Sequence, residues 1–263
     1  MNKLKISLLI LVFFTKIYAD EIKLGASFLK MNYVETGKSG QFLDSEKSDY
    51  TDIDGFSISY RKDIGKLNSK NQLSSLELSL RQLKGSSNYD GFLQNNGVIV
   101  APHKSITQNK IFESKIRLAR TMYSANYDIS LFTSLGNREW TRDMSGDKYG
   151  FKEFYDWKYY DVGFKTTLYD GHWELGFELG YQKAINPTMI AYMSKVRKFD
   201  LGDVSGHYYK IPLGYNFDKN LKLELEYEYD KWTIGASNIV DGYYEPDSVT
   251  KNKIISLNLS YKF

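Results

Sequence analysis

The 263-residue chain has no cysteine, only three histidines and only four prolines. Without cysteine there is no disulfide framework and no thiolate metal or redox centre. The histidines, at 103, 172 and 207, form no HExxH pair and no Ser/His/Asp grouping, and no metal-ligand cluster is legible in the spacing. No metal and no cofactor are expected. Long apolar runs are missing as well. The one candidate, Ile6 to Phe14, is followed closely by Lys16 and is far short of the roughly 20 residues a membrane helix needs. Any crossing of a bilayer must then use strands.

That short run has another reading. Lys3 and Lys5 precede it and Ile17-Tyr18-Ala19 follows, the tripartite pattern of a secretory signal peptide cut after Ala19. Residues 1–19 carry three lysines and no acid, so the remainder balances 32 acids with as many bases. The formal charge of +3 belongs to the leader and gives no reason to expect nucleic acid.

What the chain does have is alternation. From Ile255, the residues Leu257, Leu259, Tyr261 and Phe263 share one face, while Ser256, Asn258, Ser260 and Lys262 share the other. A strand turns successive side chains to opposite faces. Ten segments read this way: 22–34 (its register blurring after Phe28), 53–61, 73–84, 111–123, 126–136, 155–169, 172–184, 207–217, 221–235 and 253–263. Many reach the 9–11 residues of a tilted membrane strand.

The connections alternate between long and short. The long ones cover 35–52, 85–110, 137–154, 185–206 and 236–252. The short ones are 62–72, Ser124-Ala-Asn126, Tyr169-Asp-Gly-His172 and Asp218-Lys-Asn220. Asp-Gly and Asn tolerate positive φ and suit hairpins. Long loops at one end and tight turns at the other describe an outer-membrane barrel, with an even strand count leaving no open edge. The expectation is a single all-β domain over 20–263. It is an antiparallel up-and-down transmembrane barrel of ten strands, with long extracellular loops, short periplasmic turns and a place in a bacterial outer membrane.

Aromatic residues gather at the strand ends, where one apolar and one hydrogen-bonding end suit a membrane boundary. Trp157, Tyr160, Trp173, Tyr209, Trp232 and Phe263 are the expected interface residues. The polar faces carry both charges. The acids are Glu77, Glu113, Asp161, Glu174, Glu178, Glu224, Glu226, Glu228 and Asp230, and the bases are Arg81, Lys115, Arg117, Lys165 and Lys210. A ten-strand barrel is little wider than one that side chains fill, so these groups should pair across a plugged lumen. A cation-lined channel along Glu224 to Asp230 is the porin-like alternative.

His172 falls in a hairpin turn, and His103 has no acidic neighbour in sequence. His207 lies at a strand mouth, four residues after Asp203. Taken together, ten strands, five long loops, Trp173-Glu-Leu-Gly-Phe-Glu-Leu-Gly-Tyr-Gln182, Tyr208-Tyr209, and Trp232-Thr-Ile-Gly-Ala-Ser237 followed by Tyr244-Glu-Pro-Asp247 resemble the omptin family of outer-membrane barrels. That resemblance implies a protease in which an Asp-x-His pair faces an Asp pair and activates a water. By loop order the positions here are Asp203, His207 and Asp90. The Asp203–His207 spacing is longer than the family's, and loop 85–110 supplies one aspartate rather than two.

Three functions follow: a non-enzymatic surface or structural barrel with a charge-plugged lumen, an omptin-like endopeptidase, and a narrow porin. Expected partners are outer-membrane lipid and lipopolysaccharide, met by Lys195, Arg197 and Lys198 beside Asp200 and Asp203. The barrel-assembly machinery is expected to engage the last strand, which ends at Phe263.

Overall fold

The computed structural model describes residues 21–66, 72–95 and 98–263. The expected signal segment lies outside them, as do residues 67–71 of the expected turn at 62–72, whose remaining residues are strand. Twelve strands are described: β1 (Glu21–Thr36), β2 (Phe42–Lys47), β3 (Ile53–Lys66), β4 (Gln72–Asn95), β5 (Val98–Tyr123), β6 (Tyr127–Asp143), β7 (Lys152–Asp170), β8 (Trp173–Tyr192), β9 (Val196–Asp200), β10 (Val204–Asn216), β11 (Leu221–Ile234) and β12 (Asp247–Lys262). All pair antiparallel, and β12 runs along the whole of β1, from Glu21↔Lys262 to Thr36↔Asp247. The sheet therefore closes on itself and leaves no long free edge at the seam.

Twelve strand segments are described where ten strands were expected, and they fill ten positions around the ring. The two additional strands lie inside expected loops, β2 within 35–52 and β9 within 185–206. β2 and β3 both pair with β1 and β4, stacked one above the other, and β9 pairs with β8 above β10. Much of 85–110 and 137–154 is strand too, because the β4–β5 and β6–β7 ladders continue upward from the belt. The tight turns fall where alternation ended. Ser124 N–H donates to Tyr127 C=O at 2.8 Å, Phe217 N–H to Leu221 C=O at 2.9 Å, and Gly171 adopts φ +58°. That positive φ is what Asp-Gly supplies cheaply.

Each long strand changes its apolar face partway along. On β1, Leu24 and Phe28 point outward, but Leu29, Met31 and Tyr33 are buried inside. On β4 the outward Leu76, Leu78 and Leu80 give way to inward Leu83, and on β12 outward Leu257 gives way to inward Ile254. An outward apolar belt thus occupies the turn end of the ring, which we call the lower tier. Above it the outside becomes polar and the inside becomes a packed core. This phase change is why the alternation of 22–34 blurs after Phe28.

Candidate functional site

The lower interior is polar and ion-paired. Arg81 on β4 spans to Glu113 on β5 (2.6 Å) and Glu228 on β11 (2.7 Å), and Arg138 on β6 joins Glu113. Arg117 holds Glu178 at 2.7 Å, Lys210 holds Glu228 at 3.0 Å and Glu226 at 3.5 Å, and Lys115 lies 3.6 Å from Asp161. Glu224 and Glu174 take Lys23 (2.9 Å) and Lys222 (3.0 Å). Asp230 lies 3.7 Å from Arg138. Glu77 and Lys165 line two adjoining polar cavities of ≈ 140 and ≈ 150 Å³.

Sequence reasoning missed Lys23, Lys222 and Arg138 as members of this network. Lys23 shares its face with Ser27, so alternation carried the signal. Arg138 lies beyond the stretch where β6 looked like a strand.

Glycine makes room for rings in this wall. A Cβ on Gly180 would meet the Tyr208 ring at 2.4 Å, and one on Gly136 the Tyr159 ring at 2.3 Å. The rings lie over bare backbone at both positions.

Above the ion pairs an aromatic layer crosses the interior. Trp157 packs on Trp232 (centroids 5.4 Å apart), Tyr159 on Trp232 (5.6 Å), and Tyr33 on Trp140 (5.4 Å). Trp157 and Trp232 are 2% and 1% exposed, so both are core residues and not interface residues. Trp157 shares strand parity with buried Tyr155 and Tyr159 and opposes outward Tyr160. Of the other expected interface aromatics, Tyr160, Trp173 and Phe263 are exposed and Tyr209 is half-buried.

At the mouth, Arg142 on β6 is buried among carboxylates. Its Nη2 lies 2.8 Å from Glu46, and its Nη1 lies 3.1 Å from Glu35 and 2.7 Å from Glu153. Asp44 and Glu245 are buried beside them. Burial pushes Asp44 up to about 9, helped by Glu35, and pushes Glu153 up to about 7 despite Arg142. Glu245 is raised well above the carboxylate range by burial and then by Glu35 and Glu153. No single-residue spacing announced this cluster, which draws on β1, β2, β6, β7 and the β11–β12 connection.

The catalytic candidates do not converge. Asp90 lies on the outer face of β4, paired with Lys104 at 3.2 Å, and Asp203 is an exposed partner of Lys183. His207 is exposed on β10, with Lys231 and Tyr181 as cross-strand neighbours. β4 and β10 lie on opposite sides of the ring. His103 does have an acidic neighbour, which folding supplies: Asp147 at 3.3 Å. His172 accepts its place in the turn, with Nδ1 2.8 Å from Asn216 C=O. Among the described residues, no group of three His, Cys, Asp or Glu side chains is set to hold a metal ion.

Among solved structures the chain is similar to the outer membrane protease OmpT from Escherichia coli, at 13% identity over 95% of this chain and 99% of that one, with a TM-score of 0.55. The fold is that of an outer-membrane β-barrel. Other similar structures are the translocator domain of the autotransporter NalP from Neisseria meningitidis (9% identity, 99% and 94% covered, TM-score 0.43) and Ail, the attachment invasion locus protein of Yersinia pestis (13%, 93% and 99%, 0.32). No family model matches the barrel's sequence, and no curated protein matches it.

Proposed function

We propose that this is a non-enzymatic outer-membrane barrel, exported by a cleaved leader, whose lumen is closed to diffusion and whose upper tier is a surface element. One observation carries the reading: the Trp140, Trp157 and Trp232 layer fills the interior above paired charges, where a porin would keep water. Planar-bilayer recording of the purified barrel tests it. Only baseline current is expected, and steady conductance steps would overturn the closed lumen.

The lipid partner has its own support. Just above the apolar belt, outward lysines face each other across strands: Lys30↔Lys253, Lys84↔Lys110 and Lys231↔Lys251. Like charges directly opposite are unfavourable in a ladder unless anions lie between them, and of these lysines Lys30 already pairs with Asp49 while Lys84 also faces Asp54. Lipopolysaccharide phosphates would supply those anions at that height, more widely than Lys195, Arg197 and Lys198 alone. Phe263, exposed at the end of β12, remains the proposed handle for the assembly machinery.

An endopeptidase reading draws on the likeness in fold to OmpT. It would need a constellation other than Asp90, Asp203 and His207, which share no water site. Cleavage of a dibasic peptide by the wild-type barrel, lost in a specific mouth variant, would revive it.

A further inference from the structure

The mouth cluster has one cation and five carboxyls. Glu46 takes two of the five N–H donors of that cation. It accepts from Arg142 Nε (3.1 Å) and Nη2 (2.8 Å), and from the hydroxyls of Ser87 on β4 (2.8 Å) and Thr107 on β5 (2.9 Å). What remains is one Nη2 hydrogen and Nη1, whose two hydrogens face Glu35, Glu153 and the hydroxyls of Tyr33 and Tyr155. Tyr33 donates to Glu35 (2.5 Å) and Tyr155 to Glu245, so the tyrosines add one hydrogen each. Asp44 receives the Tyr89 hydroxyl at 3.2 Å, and Tyr89 in turn faces the His103–Asp147 pair. On the outer side Lys38 caps the ring of Tyr244, next to Glu245.

This inventory falls short of five ionised acids. Asp44 is buried close to Glu35, and its buried Oδ1 has no hydrogen-bond partner among the described residues. A carboxyl oxygen buried without a donor is tolerated far better when the group carries a proton. Burying the surplus as bare carboxylates would be costly, and protonation removes the cost.

We propose that the barrel mouth is a proton-loaded clasp, in which protons held by Asp44, Glu153 and Glu245 fasten β2, β7 and the 235–246 connection onto Arg142 and are released when the mouth opens. The proposal goes beyond the closed-lumen reading and does not depend on it, since the cluster lies above the aromatic layer. Its sign follows from linkage. The closed mouth binds more protons than the open one, so acid favours closure. Closure weakens as pH rises from the ordinary carboxyl range, near 4.5, through about 7 for Glu153 and about 9 for Asp44. Each proton released makes opening about tenfold more populated per pH unit inside that window.

Hydrogen–deuterium exchange on the folded full chain in detergent micelles tests this. Peptides covering 42–47 and 236–246 are followed from pH 5 to 8, each rate divided by its intrinsic rate at the same pH, with β12 belt peptides as internal reference. The expected result is a corrected rate rising at least about tenfold per pH unit between pH 5 and 7. The Asp44→Asn/Glu245→Gln pair should flatten that slope and keep the mouth protected at pH 8. If the pair does not fold, Glu153→Gln alone should reduce the slope. A flat wild-type profile, or a variant that keeps the wild-type slope, overturns the clasp.

Discussion

Trp140 stacks on Tyr155, its cross-strand partner on β7, with ring centroids 5.1 Å apart inside the barrel wall. The contact belongs to a core of the kind found in water-soluble proteins, and truncation there should cost what a core truncation costs. Trp232→Ala is expected to destabilise by about 3–5 kcal/mol. Trp173→Ala, exposed at the turn end, should cost under about 1 kcal/mol. Urea unfolding of the refolded barrel in micelles measures both, and equal losses would contradict an interior place for Trp232.

The ion pairs below that layer are closed circuits. Arg81→Met leaves Glu113 and Glu228 without their shared guanidinium. The expected cost is about 1–3 kcal/mol, because each carboxylate loses charge-assisted hydrogen bonds while Glu113 keeps Arg138 and Glu228 keeps Lys210. Adding Glu228→Gln should recover part of it. A double variant less stable than the single one would show that Arg81 acts by packing alone.

Mouth stability should fall as pH rises. Burial pushes Glu153 up to about 7 from the ordinary value of 4.5, so the stability tied to its proton is lost as pH rises between those two values. Glu153→Gln should therefore match wild type at pH 5 and exceed it by on the order of 2 kcal/mol at pH 8. Unfolding curves at the two pH values check the crossover, and a variant weaker at both would remove the charge from the account.

The facing lysines make a prediction about lipid. Lys30→Gln, Lys84→Gln and Lys231→Gln together remove one partner from each opposed pair. Binding to vesicles containing phosphorylated glycolipid should weaken by about 1 kcal/mol per lysine and lose part of its salt dependence. Binding to neutral vesicles should not change. Equal loss on both would point to misfolding instead.

Gly180→Ala tests the ring packed on bare backbone. Its added methyl meets Tyr208, which also hydrogen-bonds Glu178 at 3.1 Å. A loss of about 1–3 kcal/mol is expected, as for overpacking elsewhere. Tyr208→Phe would cost less and leave the methyl equally crowded.

Alternation was enough to reveal the lower tier, because one solvent sets one phase from Leu24 to Phe28 or from Leu257 to Phe263. The upper tier was hidden by its own success at burying apolar groups. With Leu29, Met31 and Leu83 turned inward the pattern slips by one residue, and a slipped pattern looks like a loop. Trp157 was misplaced for a related reason. A tryptophan near a strand end suits a boundary or a core equally well, and only its parity against Tyr160 separates the two. The Arg142 cluster was beyond reach. Glu35, Glu46, Arg142, Glu153 and Glu245 are gathered from five separate elements by ring closure, and no local spacing encodes that.

The slip has a consequence for how the barrel tolerates change. A mutational scan down β1 should show its sensitivity switching sides between Phe28 and Leu29. A lysine would be refused on the outer face before that point and accepted on the same face after it. Drift in sequence is then constrained by two different surroundings along one continuous ladder, with a single peptide bond as the border.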